Sequence, residues 1–307
     1  MTKFRPFGAF GGPTQRAVLP LIRQVGKDIQ PVGTGFMVNP NGIMITAAHV
    51  ARELAMNESR EPINVTLDPD IICSALYASN EKDPNTGIEI GGLLHVAKIW
   101  YPPALDIAFV QVHVPQKVDG SGALQIPIVR LTAQVPRIGE HVLGVGYYRM
   151  DGRLSDKTTT GHDMSFAQET ALSDGVVSEV HGEYRDLSML NFPCFRTDCR
   201  FDGGMSGGPV LNQRGCVCGV ICSSLGGDES TGYTSYASLM WPAFAGALEL
   251  SLDGAPARWV TLYEMACRNF VNMDESISRL RLEGDPSTTR SISLLNEGYE
   301  PPPSLGG

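Results

Sequence analysis

The chain has 307 residues, of which 42% are hydrophobic and 19% are charged, the proportions of a soluble globular protein. Its 24 basic and 33 acidic residues give a net charge of −9, which argues against a general nucleic-acid-binding surface. No apolar run approaches the ~20 residues of a membrane-spanning helix, and the N-terminus lacks the apolar core of a secretory signal, so we expect a cytoplasmic protein with no nucleic-acid or membrane partner.

The predicted elements begin with an N-terminal lead-in over residues 1–28, in which a short helix is expected at about 15–25. From Val32 onward, short apolar runs alternate with Gly, Pro, Asn and Asp, a pattern that predicts many antiparallel strands. The candidate strands of the first half are 35–38, 42–46, 63–67, 93–99, 107–113 and 141–147. The polar stretch 151–162 is predicted to connect the two halves, and further strands are expected at 169–180, 189–199, 208–211, 217–223 and 233–239.

Two polar residues of the first half stand out from their apolar surroundings. His49 follows the β-rich stretch 45–48, and an imidazole there can act as a general base. Asp106 lies in the apolar stretch 104–110, which is predicted to be a strand. A buried carboxylate is costly unless a charged or donating group pairs with it, so we expect a partner for Asp106.

The stretch 202–210, D-G-G-M-S-G-G-P-V, places Ser206 in a run of glycines. Glycine allows backbone turns that other residues do not adopt, so main-chain N–H groups can converge on one point. A serine hydroxyl is a poor nucleophile unless a neighbouring base takes its proton, and His49 offers such a base. The pattern therefore indicates nucleophilic catalysis by Ser206.

The motifs T-A-A-H, D-I-A and G-x-S-G-G-P occur in that order between about residues 30 and 240, and the chain thereby resembles the chymotrypsin/trypsin-fold serine proteases. The order His, Asp, Ser is diagnostic, because other triad folds arrange the same roles differently along the chain. The resemblance implies an all-β fold of two antiparallel six-stranded β-barrels, a chymotrypsin-like double barrel, with the active site in the cleft between them.

The resemblance also implies site roles and domain limits. It predicts a catalytic triad of His49, Asp106 and Ser206, and an oxyanion hole made by the backbone N–H groups of Gly204 and Ser206. The protease domain is expected at 29–252, with barrel one at about 29–150, barrel two at about 163–240 and a closing helix at about 241–250. The expected activity is that of an intracellular serine endopeptidase. The alternative is a protease-fold binding or signalling module whose activity is absent or switched on only by a partner.

One residue departs from the pattern of relatives that are activated by cleavage. In those relatives an aspartate before the nucleophile pairs with a newly freed N-terminal ammonium, whereas here that position is Met205. The chain is therefore closest in style to bacterial and viral members that are not made as such zymogens. Because an unpaired buried charge is strongly disfavoured, we expect that removing residues 1–28 leaves the reactivity of the serine within about tenfold.

By the same resemblance, five residues are expected near the substrate pocket: Arg200, Phe201, Cys222, Ser223 and Ser224. A cation at Arg200 could select Glu or Asp at P1, the residue on the N-terminal side of the scissile bond. Alternatively, Phe201 could fill the pocket and leave room only for small residues, or Arg200 could turn away toward Asp198 or Asp202. The sequence leaves these alternatives open.

The chain contains seven cysteines, and an odd number without a secretory signal indicates reduced thiols rather than a disulfide framework. No cysteine lies between Phe36 and Ile72, so the bridge that flanks the catalytic histidine in secreted relatives cannot form. Cys216 and Cys218 are predicted to be buried small side chains rather than metal ligands. No pair among the other histidines has the helical spacing of a zinc site, and we expect neither a metal nor a cofactor.

The resemblance does not explain the C-terminal residues. Residues 253–284 are predicted to form a helical extension, since Thr261 and Glu264 make a capping box and apolar residues then recur at spacings of three and four over 261–282. The apolar face of this amphipathic helix is expected to dock on the protease body. The alternative is a surface for a regulatory protein partner or for self-association. Residues 285–307, rich in Ser, Pro and Gly, are predicted to be disordered.

Overall fold

The computed structural model of the chain describes residues 3–7, 16–57, 62, 65, 71–82, 89–115, 124–158, 161–228, 232–252, 255–284 and 291–295. The strands of the first half are β1 (Lys3–Phe7), β2 (Val18–Val25), β3 (Asp28–Asn39), β4 (Ile43–Thr46), β5 (Ile71–Lys82), β6 (Glu89–Trp100) and β7 (Ala108–Val112). Those of the second half are β8 (Arg130–Leu131), β9 (His141–Thr158), β10 (Gly161–His181), β11 (Cys194–Thr197), β12 (Pro209–Leu211), β13 (Cys216–Asp228) and β14 (Gly232–Leu239). The C-terminal strands are β15 (Ala247–Leu250), β16 (Arg258–Thr261), β17 (Leu280–Glu283) and β18 (Ser291–Leu294).

The helices of the described residues are few and short. They are α1 (Ala48–Leu54), α2 (Leu262–Cys267) and two 3₁₀ helices, Trp241–Ala245 and Glu275–Arg279. Strands therefore dominate, which confirms the all-β fold class. Within the same described ranges, no helix combines the length and the apolar character needed to cross a membrane.

Six strands of the first half close into a barrel. β2 pairs with β3 and β5, β5 with β6, β6 with β7, β7 with β4, and β4 with β3, all antiparallel. Closure pairs both edges of the sheet, so the six strands present no open ladder to other chains. Phe36, Ile45 and Phe109 are fully buried in the core that this barrel encloses.

A second set of six strands closes in the same way. β9 pairs with β10 and β12, β10 with β11, β11 with β14, β14 with β13, and β13 with β12, again antiparallel. Phe195, Val210 and Ala237 are fully buried in its separate core. A short pairing of β3 with β9 joins the two sheets. The chain therefore has the predicted chymotrypsin-like architecture of two six-stranded antiparallel barrels.

The N-terminal residues differ from the predicted lead-in. Residues 18–25 form β2, a strand between β3 and β5, and not part of a helix over 15–25. The run 18–22 is buried throughout, and periodicity alone does not distinguish such a run from a buried helix. The first barrel therefore begins at Val18. Removing residues 1–28 would delete one of its strands, so the expected tolerance of that deletion is wrong.

The polar stretch 151–162 is not the connection between the halves. β9 and β10 form one antiparallel hairpin across it, with Asp151 opposite Ala167 and Thr158 opposite Gly161. The connection runs before β9 and contains β8, which pairs in parallel with β13. Asp151 and Arg153 are exposed. Exposed hairpins and linkers are both polar, so composition alone does not distinguish one from the other. The predicted strand 63–67 lies outside the described residues apart from Val65.

The amphipathic helix predicted over 261–282 does not form as one helix. Its capping box is present, since Thr261 Oγ1 accepts a hydrogen bond from the Glu264 N–H at 3.0 Å. However, α2 ends after one and a half turns, and Asn269 then adopts a left-handed backbone conformation with φ +60°. The following residues turn back onto the body, where the Leu131 N–H donates to the Asn272 carbonyl at 2.8 Å. The single helix is therefore absent, and with it the helical face proposed for a partner or a second copy. The apolar residues of the segment nevertheless dock on the body as expected, since all six are buried in its core or packed against it: Tyr263, Ala266, Phe270, Met273, Ile277 and Leu280.

Two further C-terminal predictions need correction. The closing helix expected at 241–250 is only the 3₁₀ helix Trp241–Ala245, because Gly246 is extended and the chain continues as β15, which pairs with β16. In the tail predicted to be disordered, residues 291–294 form β18 and pair with β17. The rest of that prediction, 285–290 and 296–307, lies outside the described residues.

All seven cysteines lie in the described residues and none is joined in a disulfide there. Six are buried and Cys267 is exposed. Burial raises the pKa of the Cys194 thiol to about 11 and that of Cys199 to about 12. Burial also raises the pKa of Cys218 and of Cys222. Because the thiolate is the reactive form, these side chains should be inert at neutral pH.

A thiol titration tests this assignment. At pH 8 the native protein should react quickly with a disulfide reagent at one thiol, Cys267, while the six buried thiols are inaccessible and react only as the protein unfolds. Cys267→Ser should remove the fast phase and leave the slow one. In denaturant without reductant all seven thiols should react, and a count of one would show three disulfides and contradict the assignment.

Candidate active site

His49 is held at the start of α1 by the carboxylate of Asp106. The His49 main-chain N–H donates to Asp106 Oδ1 at 3.0 Å, and the ring Nδ1 lies 2.8 Å from Asp106 Oδ2. The first N–H groups of a helix have no partner within it, and Ala47 at the N-cap supplies no side-chain acceptor. Asp106 therefore serves both as the cap of α1 and as the partner of the imidazole.

This contact fixes the state of the ring. An ionised carboxylate only accepts hydrogen bonds, so Nδ1 carries the proton and Nε2 is left as an acceptor. The Asp106 side chain is only 11% exposed, whereas the His49 side chain is 43% exposed. A shielded carboxylate thus orients a ring that is itself partly exposed. The partner expected for Asp106 is present.

Asp106 reaches this position from a turn and not from a strand. β7 begins two residues later, at Ala108, so the prediction that Asp106 lies inside a strand is wrong. The turn includes Ala104 in the left-handed region at φ +56°, which is uncommon for a residue with a Cβ. Backbone strain of this kind persists only where the surrounding structure enforces it, and it is frequent at functional sites.

Ser206 sits in a tight loop that is built from main-chain hydrogen bonds. The Met205 N–H donates to the Asp202 carbonyl at 3.1 Å, and the Gly207 N–H donates to the Ile221 carbonyl at 2.8 Å. Gly204 and Gly207 adopt φ +90° and +85°, in the left-handed region that favours glycine. Gly204 thereby turns the chain two residues before Ser206, which is half-buried.

Gly207 also has no room for a side chain. A Cβ there would lie 2.1 Å from the Thr34 carbonyl oxygen and 2.1 Å from Thr46 Oγ1. The nucleophile loop of the second barrel therefore packs directly against β3 and β4 of the first. This close approach explains why glycine is required at position 207, within the glycine run that the sequence shows.

Thr34, in β3, binds this loop on both sides of Met205. Its Oγ1 donates to the Gly204 carbonyl at 2.7 Å, and its N–H donates to the Ser206 carbonyl at 2.9 Å. The same hydroxyl accepts from the Tyr147 N–H at 3.0 Å. Thr34 is fully buried, so these bonds are shielded from water.

Thr34 also connects the loop to the segment that carries the histidine. Thr46 Oγ1 donates to the Thr34 carbonyl at 2.6 Å, and Thr46 is the last residue of β4, three residues before His49. The sequence reasoning missed Thr34. A hydroxyl residue between two glycines in a run that is otherwise apolar was the available signal.

Met205 is fully buried, in agreement with its apolar character. Its main chain packs on Gly146, where an added Cβ would lie 2.9 Å from the Met205 Cα. The Asp202 N–H points at the Met205 sulfur at 3.4 Å. The position that holds an aspartate in cleavage-activated relatives is thus filled by a thioether in an apolar core.

Two depressions border the candidate residues. One, of about 530 Å³, is lined by Ser206 and also by Arg200, Asp202 and Tyr233. The other, of about 580 Å³, is lined by His49 and Asp106. Ser223 borders both, so the two depressions adjoin at this residue, with Ser206 on one and His49 and Asp106 on the other.

The structure divides the five predicted pocket residues between these depressions. Arg200, Phe201, Ser223 and Ser224 line the pocket beside Ser206, whereas Cys222 lines the neighbouring one. Phe201 is buried, and an added Cβ on Gly144 would lie 2.3 Å from its ring. Its ring is therefore packed mainly into the second barrel and does not fill the pocket.

Arg200 turns toward Asp202, one of the two alternatives left open by the sequence. Its Nε and Nη2 each lie 2.7 Å from one carboxylate oxygen of Asp202, a bidentate pair. These hydrogen bonds raise the pKa of the Arg200 guanidinium above its ordinary value. The cation that lines the pocket is thus matched by a carboxylate.

Comparisons with known proteins identify the family of the chain. A family model described as the trypsin-like peptidase domain matches residues 33–220. Serine protease HTRA3 of Homo sapiens is 24% identical over 191 residues, and mitochondrial serine protease HTRA2 of Bos taurus is 25% identical over 190 residues. Each alignment covers 61% of this chain but only 32% or 30% of the relative, so the chain spans about a third of the length of these relatives.

Among solved structures, the crystal structure of Deg5 aligns with a TM-score of 0.46 at 17% identity. That alignment covers 74% of this chain and 85% of the Deg5 chain.

Proposed function

Because the chain belongs to the trypsin-like peptidase family, we propose that it is a serine endopeptidase that hydrolyses peptide bonds of a protein substrate. Ser206 is the nucleophile, His49 the general base and then general acid, and Asp106 the carboxylate that orients the ring. The observation that carries the proposal is the double contact of Asp106 with the His49 N–H and Nδ1, at 3.0 and 2.8 Å. With Nδ1 held by Asp106, Nε2 is the ring atom proposed to accept the proton of Ser206, which lines the adjoining depression.

The reaction proceeds in two halves. Ser206 Oγ attacks the substrate carbonyl carbon while His49 Nε2 takes the hydroxyl proton, and the carbonyl oxygen becomes an oxyanion. The C–N bond then breaks, and His49 returns the proton to the leaving amine. A water molecule repeats the sequence on the acyl-enzyme and releases the acid. Asp106 stabilises the imidazolium each time it forms.

The oxyanion is proposed to bind the N–H groups of Gly204 and Ser206. Loss of one such donor typically costs about 3 kcal/mol of transition-state stabilisation. Donors are most effective when they need no reorganisation during the reaction. Thr34 binds the carbonyls of Gly204 and Ser206 at 2.7 and 2.9 Å. These bonds support such preorganisation, because they hold the peptide groups next to the two N–H donors.

The role of the Thr34 hydroxyl can be tested with a near-isosteric change. Thr34→Val keeps the main-chain bond to Ser206 but removes the hydroxyl that binds the Gly204 carbonyl and the Tyr147 N–H. We expect kcat to fall by about 10- to 100-fold with a smaller change in KM, since a misplaced oxyanion donor is felt mainly in the transition state. Thr34→Ser, which retains the hydroxyl, should recover most of the rate.

Thermal unfolding of both variants separates loss of rate from loss of fold. If Thr34→Val folds and keeps the parental kcat, the proposed preorganisation is wrong.

The proposed function itself is tested by labelling with a fluorophosphonate, a probe that reacts only with an activated serine. Purified protein should form a covalent adduct, and Ser206→Ala should not. An unlabelled, folded parent protein would favour the alternative of a protease-fold binding module, or of an enzyme that needs a partner.

We also propose a reducing compartment as the site of action. The support is the set of seven free thiols, six of them buried, since cysteines of proteins in an oxidising compartment are usually joined in disulfides.

A further inference from the structure

We propose that Phe4, in the N-terminal strand β1, and Asp202 together hold Arg200 so that the pocket beside Ser206 accepts an uncharged P1 side chain. This inference rests on the proposed endopeptidase activity. It gives the N-terminal strand a role in substrate selection that its position in the sequence does not suggest.

The first step is the placement of β1. It pairs antiparallel with β10, from Lys3 opposite Asp174 to Phe7 opposite Thr170. The same residues of β10 pair with β9 on their other side. β1 is therefore an additional strand of the second barrel, attached to it through β10.

The second step is the environment of Phe4. The Arg200 guanidinium carbon lies 4.3 Å from the centre of the Phe4 ring, within the range of a cation–π contact. Phe4 is supported in turn by Tyr148, whose ring packs edge-to-face on it at 5.2 Å between centroids. Phe4 is half-buried, whereas its neighbour Arg5 is exposed, as expected for alternate residues of a strand.

The third step is the balance of charge between Arg200 and Asp202, which both line the pocket. Arg200 is tied to Asp202 by two hydrogen bonds of 2.7 Å, and the Tyr233 ring lies 5.8 Å from its guanidinium carbon. The side chains of Arg200 and Asp202 are 37% and 26% exposed, so water screens their attraction and the pair alone holds the arginine only weakly. Stacking on Phe4 supplies a second restraint.

The consequence concerns the P1 residue. An acidic side chain entering this pocket meets a cation that is already matched and a carboxylate of like charge. A basic side chain meets a carboxylate that is already matched and, in Arg200, a cation of like charge. An uncharged side chain meets neither penalty, and like-charge contacts at such a site discriminate strongly. The alternative raised from the sequence, acidic selection by Arg200, requires the arginine to be released from Asp202 and Phe4.

A matched pair of peptides tests this. Peptides that differ only by Glu or Gln at P1 have nearly equal shapes, so the ratio of their kcat/KM values reports charge selection alone. The full-length parent should prefer Gln. Asp202→Asn should raise the Glu/Gln ratio by at least about tenfold, and Phe4→Ala by about threefold or more. Arg5→Ala, on the exposed side of the same strand, should leave the ratio unchanged.

The double variant Asp202→Asn with Arg200→Gln should lose the gain, because the released cation is then absent. The ratio is measured within each variant, so a smaller folded or active fraction does not affect it. A parent that labels with fluorophosphonate and prefers Glu, or variants that leave the ratio unchanged, would overturn this inference alone. A folded parent that neither labels nor cleaves would overturn the proposed function and this inference with it.

Discussion

Replacement of Ser206 by alanine is expected to lower kcat by roughly 10⁶-fold, because the residues of such a triad act as a unit and only the binding and oxyanion contributions remain. The measurement uses the peptide that the parent cleaves fastest in an unbiased peptide library. Ser178→Ala is the matched control, since Ser178 is an exposed serine of β10 that lines neither depression. It should retain the parental rate.

The alanine variant should also keep its fold. The Ser206 main-chain carbonyl still accepts from the Thr34 N–H, and the glycines that shape the loop are unchanged. The thermal unfolding midpoint should therefore shift by only a few degrees. Substantial hydrolysis by folded Ser206→Ala would mean that another group is the nucleophile.

Asp106→Asn is expected to lower kcat by about 10⁴-fold, the second largest effect. An asparagine can offer its NH₂ to His49 Nδ1, which moves the ring proton to Nε2 and prevents that atom from accepting the proton of Ser206. It also removes the charge that stabilises the imidazolium. The shape of the residue is nearly unchanged, so KM and the unfolding midpoint should change little.

A surface pair of the same residue types provides the control. Asp174 lies 3.7 Å from His141 Nδ1, and both side chains are largely exposed. Asp174→Asn should therefore leave kcat unchanged. A loss of less than about tenfold in Asp106→Asn would show that the carboxylate does not orient the proposed base.

The triad candidates could be predicted from the sequence because their chemistry depends on residue type and local backbone. Gly204 and Gly207 have left-handed backbones, and an added Cβ on Gly207 would collide with Thr34, so the glycine run reflects the packing of the loop itself. The strand pattern likewise follows from alternating burial, which is encoded locally.

The failures have physical causes of two kinds. β2 is buried on both faces, so its sequence lacks the alternation that distinguishes a strand from a helix. In 261–282 the capping box was predicted correctly, but apolar residues at helical spacing are also buried by a short helix, a turn and a 3₁₀ helix. Local periodicity does not distinguish these arrangements.

The direction of Arg200 was undecidable from the sequence for a different reason. Asp198 and Asp202 are both two residues away, and the choice between them depends on the loop geometry. Contact with Phe4 depends on pairing between β1 and β10, which are separated by more than 150 residues. Neither feature has a local signal.

The most direct test of the central claim is to locate the fluorophosphonate adduct by peptide mass spectrometry in the parent and in His49→Ala. If His49 activates Ser206, the parent should carry one adduct per chain on the peptide that contains Ser206, and His49→Ala should react at least about 10³-fold more slowly. An adduct on a different serine, or equal labelling of Ser206 in His49→Ala, would contradict the proposed mechanism.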